Sequence, residues 1–261
     1  MKLDQSIFRL FLFWYTVGVI LLAFDLVPPP LEWANVVFLI LCGVLGCFYL
    51  YRHYSSVRGT LAIVIIFFLS MVIEAIGVQT GLFFGNYTYA SDFGPGLIGV
   101  PITIGAAWVM VLSTTHAIAK PFARQFQGRF VPFFIYIITG SLLAVGIDLV
   151  IDPVAYEMKG YWLWDDGGTY YGVPFSNFLG WWILSLVLHA LLWLLLHKEP
   201  AWNERTGFWE PRTRLLFFLI MFMFTFLCVV GGLWLAAVLG TAVMAAAGMM
   251  HQFSRRQETG I

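Results

Sequence analysis

Charged residues are scarce in this sequence. Asp, Glu, Lys and Arg make up 11% of its 261 residues and 61% are hydrophobic, whereas a soluble domain carries roughly a quarter charged residues. A chain this apolar cannot cover its own surface with polar groups, so lipid is its expected solvent. The 14 basic and 14 acidic residues cancel, so the net charge gives no reason to expect a nucleic-acid partner.

Cysteine and the usual cofactor motifs are also scarce. The three cysteines, Cys42, Cys47 and Cys228, lie in apolar runs without CxxC spacing, so we interpret each as a small packed hydrophobe. No two histidines share a predicted helix at metal-binding spacing, and neither a P-loop nor an HExxH motif is present. No lysine falls within a predicted span, which excludes a retinal Schiff base. We therefore expect the protein to bind neither a metal ion nor an organic cofactor.

Long hydrophobic runs dominate what is present. A membrane span needs roughly 20 apolar residues, and runs of that length cover about residues 7–27, 33–51, 60–82, 97–119, 130–151 and 178–197. A last run, from Leu215 to Met250, is too long for one helix, and the pair Gly231-Gly232 near its middle favours a tight reversal. We therefore predict an all-α integral membrane bundle of about eight helices, forming a single domain over residues 1–261.

The distribution of basic residues predicts the orientation of this bundle. Lys and Arg concentrate on the cytoplasmic side of membrane proteins. With a cytoplasmic N-terminus, thirteen of the fourteen lie on the inner side and only Lys159 lies in an outer loop. Seven spans would instead place Arg255 and Arg256 outside. We expect a multi-pass protein of the cell membrane with both termini in the cytoplasm, and two folded outer loops near residues 83–96 and 152–177 that are rich in Gly, Tyr and Trp.

Three acidic residues lie within or at the end of predicted spans. Glu74 is in the outer third of the third span, and Asp148 and Asp152 are at the outer end of the fifth. Because a carboxylate in hydrocarbon costs at least about 2.5 kcal/mol, such a group is normally protonated, paired or turned toward a cavity. The four-residue spacing of the two aspartates puts both on one helix face. We expect all three carboxyl groups to converge on a pocket capped by the outer loops.

Structural roles for these polar residues remain open. Asp152 precedes Pro153 and would then only end its helix, while Asp148 would be a buried residue satisfied by Asn177 or a tyrosine hydroxyl. Glu74 is hardest to explain in this way, because apolar residues and glycine surround it for a full turn on either side. His189, in the middle of the sixth span, is a candidate proton donor or a partner in an interhelical hydrogen bond.

Three blocks of sequence resemble a known family. They are Glu74-Ala-Ile-Gly77 with Gly81, Phe84-Gly85-Asn86-Tyr87-Thr-Tyr89, Pro101 and Trp108; Asp148-Leu-Val-Ile-Asp152-Pro153-Val-Ala; and Trp162-Leu-Trp164, Tyr171-Gly172-Val-Pro174 and Asn177-Phe-Leu-Gly180-Trp181. Together they resemble the membrane carotenoid-biosynthesis family that includes the carotenoid 1,2-hydratases. The likeness covers about residues 60–200.

The resemblance implies an enzyme of the lyase class that adds water across the terminal C1=C2 bond of an acyclic carotenoid. Glu74 is then the candidate proton donor, because burial in apolar surroundings favours a neutral carboxyl group, and Asp148 and Asp152 would orient the water and accept its proton. The candidate substrate-binding residues are Tyr87, Tyr89, Trp108, Trp162, Trp164, Asn177, Trp181 and His189. The implied partners are a hydrophobic isoprenoid substrate from the bilayer, lipid, and other enzymes of carotenoid biosynthesis.

Three alternatives remain open. An end-group cyclase would use the same protonated cation and close a ring. A transporter or channel for a small solute or proton is disfavoured because the polar groups cluster on one side of the membrane, with little beyond His189 deeper in. A non-catalytic scaffold would bind a carotenoid and leave it unchanged.

Overall fold

The computed structural model describes residues 2–28, 31, 33–89, 93–165, 167–203 and 207–259. Eight helices in these ranges are long and apolar enough to cross a membrane. They are α1 (Lys2–Ala23), α2 (Trp33–His53), α3 (Ser56–Thr80), α4 (Ile102–Ala123), α5 (Val131–Pro153), α6 (Phe175–Leu196), α8 (Trp209–Val230) and α9 (Trp234–Thr259), with the short α7 (Pro200–Asn203) between α6 and α8. The predicted bundle is confirmed, including the reversal between α8 and α9 at Gly231-Gly232.

Helix α4 lies at the centre of the bundle. It packs against α2, α3, α5, α8 and α9. In its most apolar stretch of 18 residues, 83% of the residues are buried, whereas the corresponding share is 22% in α1 and in α9. Small residues allow the close approach of α2, because a side chain at Gly43 would collide with the backbone of Ala106 on α4. Residues that project from α4 toward either side therefore reach the interior of the protein.

The ends of α3 and α5 determine how the chain enters the two long loops. Helix α3 stops at Thr80 because Gly81 adopts a left-handed backbone conformation and its N–H bonds the carbonyl of Gly77. Helix α5 does not stop at Asp152. It continues through Pro153 into a turn of π-helix, Val154–Met158. The interpretation of Asp152 as only a helix-ending residue is therefore wrong.

The two long loops are folded and pair with each other. Strand β1 (Tyr87–Tyr89) in the first loop runs antiparallel to β4 (Trp162–Trp164) in the second, and β2 (Gly96–Leu97) pairs with β3 (Val100–Pro101). Residues 90–92, Asp166 and the basic residue Arg205 lie outside the described residues. We call the side of the bundle that carries these loops the loop side, and the side that carries both chain ends the terminal side.

Candidate active site

Glu74 is held on the loop side by three hydrogen-bond donors. Its side chain projects from α3 into the interior and is buried. The hydroxyls of Tyr87 and Tyr89 donate to Oε2 at 2.5 and 3.1 Å, and the indole Nε1 of Trp108 donates to Oε1 at 3.0 Å. Tyr87 and Tyr89 reach the same oxygen because alternate residues of a strand point to one face. A carboxylate offers about four acceptor positions, so one position on Glu74 remains for a further donor.

Asp148 and Asp152 form a pair on adjacent turns of α5. The amide nitrogen of Asn177, at the start of α6, donates to Oδ2 of Asp148 at 2.9 Å and to Oδ2 of Asp152 at 2.5 Å. Both carboxyl groups are buried, and Oδ1 of Asp148 finds no donor in the described part of the chain. Because one amide nitrogen contacts both Oδ2 atoms, the two carboxyl groups lie close together, and a proton held by the pair would relieve the repulsion between them.

A cavity of about 1060 Å³, counted to its open mouth, brings these groups together. Its wall is mostly apolar and aromatic, and it is built from α1 to α6, α8 and both long loops. The predicted site residues that line it are Glu74, Tyr87, Tyr89, Trp108, Asp152, Trp162, Trp164, Asn177 and Trp181. Of the three carboxyl groups expected to converge on one pocket beneath the loops, Glu74 and Asp152 line this cavity.

Two predicted site residues do not line the cavity. Asp148 is not part of the cavity wall, but it accepts a hydrogen bond from Asn177, which is. His189 lies deeper, where its Nε2 is 3.1 Å from the Thr115 hydroxyl and its Nδ1 is 2.8 Å from the Ser185 carbonyl oxygen. These contacts satisfy the imidazole, so substrate binding by His189 finds no support in the structure.

The cavity has few cations to balance its acids. None of the three carboxyl groups forms an ion pair within the described ranges, and the one lysine that lines the cavity, Lys159, instead contacts Asp25 at 3.1 Å. Burial, reinforced by the neighbouring Glu74, raises the pKa of Tyr87 and of Tyr89 well above the usual value. Both tyrosines therefore remain hydroxyl donors. Among the described residues, no three His, Cys, Asp or Glu side chains form a group that could hold a metal ion.

Sequence reasoning missed other residues of the cavity wall. Asn35, on α2, is a polar residue in an apolar run, and that signal was available in the sequence.

The buried indole N–H of Trp162 has no partner in the part of the chain that the structure describes. This donor is therefore left unsatisfied in a residue that lines the cavity.

A second buried polar cluster lies on the terminal side, where none was expected. Lys120 is fully buried within α4 and its Nζ lies 3.1 Å from Glu210 and 2.9 Å from His53. Nearby, His116 bonds the hydroxyls of Tyr54 and Tyr136, each at 2.6 Å. The placement of Lys120 outside the spans is therefore wrong, and so is the argument that polar groups cluster on only one side.

Fold and cavity together define a multi-pass membrane protein with a buried acidic site. The chain belongs to the carotenoid biosynthesis protein family, whose profile matches residues 34–247. The bisanhydrobacterioruberin hydratase of Haloarcula japonica is 30% identical over 145 residues, which are 52% of this chain and 44% of that relative. The chain thus matches less than half of the relative's length. No solved structure is significantly similar to the chain.

Proposed function

We propose that the protein is a lyase that hydrates the terminal C1=C2 bond of an acyclic carotenoid without a cofactor. The observation that carries this proposal is the convergence of buried carboxyl groups on an apolar, aromatic-lined cavity. Family membership supports a role in carotenoid biosynthesis, and the similarity to a hydratase supports this reaction type. The reaction requires only a proton donor, a water and a proton acceptor in a site that tolerates a cation.

The aspartate pair is the better candidate for the proton donor. Burial opposes charge on all three carboxyl groups alike, so hydrogen bonding distinguishes them. Glu74 accepts three hydrogen bonds, whereas Asp148 and Asp152 share one amide group and would repel each other if both were ionised. We therefore assign the first proton to the pair, and its transfer to Asp152, which lines the cavity. This reverses the roles expected from the sequence.

The reaction then balances in two steps. Asp152 gives its proton to C2, the π electrons of the double bond form the new C–H bond, and C1 becomes a tertiary cation. Water attacks C1, and Glu74 takes the released proton at its remaining acceptor position. The product is a tertiary alcohol, and cavity water returns the proton from Glu74 to the aspartate pair.

Aromatic faces around the carboxyl groups suit a cationic intermediate. Trp108 and Trp181 are stacked with their ring centroids 4.3 Å apart, and both line the cavity together with Tyr87 and Trp164. The negative faces of such rings attract a cation and stack on a polyene. The indole N–H of Trp162, unpartnered in the described part of the chain, is our candidate donor to the attacking water or to the product hydroxyl.

The orientation and the partners belong to the same proposal. The excess of Lys and Arg on the terminal side indicates that both chain ends are cytoplasmic, so the cavity opens in the outer half of the cell membrane. The substrate is then a carotenoid dissolved in the bilayer. Other carotenoid-pathway enzymes are the candidate protein partners.

Co-expression in a lycopene-producing bacterium tests this function. Pigments are extracted and separated by chromatography, and their molecular masses are measured by mass spectrometry. Cells that carry an empty vector are the control. Hydration adds one water to the mass of the pigment. An isomer of unchanged mass would instead identify a cyclase, and unchanged lycopene that copurifies with the protein would identify a binding scaffold. Either result would reject the hydratase.

A further inference from the structure

A second cavity adjoins the acidic one beneath helix α1. It measures about 420 Å³, with its open mouth included, between α1, α2 and α8, and its wall includes Trp14, Gly18 and Leu31. Four residues line both cavities: Leu22, Asn35, Phe38 and Met223. These side chains form the boundary between the two spaces. Leu22 and Met223 are flexible and Met adapts readily to new shapes, so rotation of their side chains would join the spaces.

The packing of α1 explains why this space exists. The first half of α1 is fixed to the bundle, because Phe11 is fully buried and the Tyr15 hydroxyl donates to the Leu219 carbonyl at 2.9 Å. Beyond Tyr15 the helix exposes Val17 and Ile20. Gly18 leaves open space where a side chain would stand.

The loop-side end of α1 makes a further contact, with the second long loop. Lys159, which lines the acidic cavity, bonds Asp25 just beyond the helix. Helix α1 therefore lies over the second cavity, fixed to the bundle at Phe11 and Tyr15 and joined to the second long loop by this exposed ion pair. The wall from Trp14 to Leu22 is roughly 12 Å long at the helical rise.

We propose that this second cavity is the binding passage for the polyene chain of the substrate. This inference rests on the proposed function. A carotenoid is much longer than its reacting end group, so a molecule whose end lies beside Asp152 must extend out of the acidic cavity. The adjoining passage has a mostly apolar wall that includes one amide, Asn35, and it runs along α1, a membrane-spanning candidate with exposed apolar residues at Val17 and Ile20. The occupant is therefore the linear apolar chain of the same substrate molecule.

Gly18 provides the test. A larger side chain there meets no neighbouring atom at its Cβ, so it is compatible with the fold, but it would occupy the passage that Gly18 lines. The series Gly18→Ala, Gly18→Leu and Gly18→Phe is expressed with lycopene, and both the retained pigment and the hydrated product are measured. We expect both to fall as the side chain grows, by about tenfold or more for Gly18→Phe, as expected for overpacking of a filled site. The control is Gly248→Phe on α9, where a side chain also meets open space, and it should match the parent protein.

The outcomes separate this inference from the proposed function. If Gly18→Phe and Gly18→Leu retain pigment as the parent does, the passage is wrong, whether or not the protein is a hydratase. If the parent retains pigment without hydrating it, the proposed function fails, while a loss of pigment along the Gly18 series still supports the passage. Should Gly18→Phe not accumulate as folded protein, Gly18→Leu and Gly18→Ala decide the question through retained pigment.

Discussion

The protein buries ionisable side chains in two places, and the two clusters are built differently. On the terminal side, Glu210 contacts Lys120 at 3.1 Å and Arg214 at 2.8 Å, so its charge is balanced by cations. The Nε2 atom of His53 lies 2.9 Å from the Nζ atom of Lys120. None of these four side chains lines either cavity.

On the loop side, the three buried carboxyl groups have hydrogen-bond donors, but no ion pair to any of them is present in the described ranges of the chain. Glu74 and Asp152 face an open cavity, and Asp148 keeps an oxygen without a donor among the described residues. A buried cluster whose charges are balanced is costly to disrupt, because removing one partner leaves a buried charge without its counterion. An excess of acid beside an apolar cavity contributes nothing comparable to packing, so its presence indicates chemistry. This difference is the reason that we propose a catalytic role for the loop-side acids and expect a structural role for the terminal cluster.

The largest expected effect is that of Asp152→Asn. Asparagine keeps the size of the side chain but cannot donate the proton, so hydration should fall by up to about 10⁴-fold. The thermal midpoint of the detergent-solubilised protein should stay close to that of the parent. Chromatography of lycopene-derived pigments measures the loss. Hydration at the parental rate would show that the acid is misassigned.

Glu74→Gln should also stop hydration, but at a different step. If Glu74 accepts the proton of water, its loss should reduce hydration by about 10²- to 10³-fold. Protonation of C2 would continue, and the cation would return to alkene by losing a proton. In D₂O, recovered lycopene should therefore gain deuterium with Glu74→Gln and not with Asp152→Asn. The opposite labelling pattern would restore Glu74 as the acid.

On the terminal side, Lys120→Met should affect stability rather than chemistry. The change removes one of the two cations that balance the buried charge of Glu210, which should cost up to about 3 kcal/mol. The thermal midpoint should fall, while hydration per folded molecule should match the parent. The double variant Lys120→Met with Glu210→Gln should recover part of the stability. Impaired hydration at normal stability would connect the terminal cluster to the reaction and favour a proton path across the membrane.

The loop-side acids were predictable from the sequence for a simple physical reason. A carboxyl group within an apolar run is costly, so Glu74 and the four-residue spacing of Asp148 and Asp152 were visible without a structure. The terminal cluster was missed because α4 extends to Ala123, beyond the apolar run that ends near residue 119. Lys120 is therefore part of the helix although hydropathy ends before it.

Pairing between the loops could not be predicted. Strands β1 and β4 have three residues each, too few to give an alternating pattern, and they are far apart in the sequence. Their pairing nevertheless directs Tyr87 and Tyr89 at Glu74. The choice of acid also depended on this geometry, because the sequence indicates that Glu74 is buried but not that three donors surround it.

Tyr87→Phe should have a moderate effect on the loop side. It removes one of the three donors to Glu74 and should reduce hydration by about tenfold, the usual value of one hydrogen bond to a charged group. Because burial raises the pKa of Tyr87, the parent should keep this donor above pH 10, where an exposed tyrosine ionises. Hydration in membranes should therefore show no loss near pH 10 from tyrosine ionisation. A loss there that disappears in Tyr87→Phe would contradict the assignment.

Asp25→Asn should have the smallest effect, although it also alters a carboxylate on the loop side. The Asp25 side chain is 92% exposed and its partner Lys159 is 3.1 Å away. Exposed ion pairs contribute only about 0–1 kcal/mol, so the thermal midpoint and the hydration rate should both stay close to those of the parent. The comparison with Asp152→Asn then isolates burial beside the cavity as the property that matters, because the chemical change is identical. A loss of hydration in Asp25→Asn would instead mean that the tie between α1 and the second loop controls entry of the substrate.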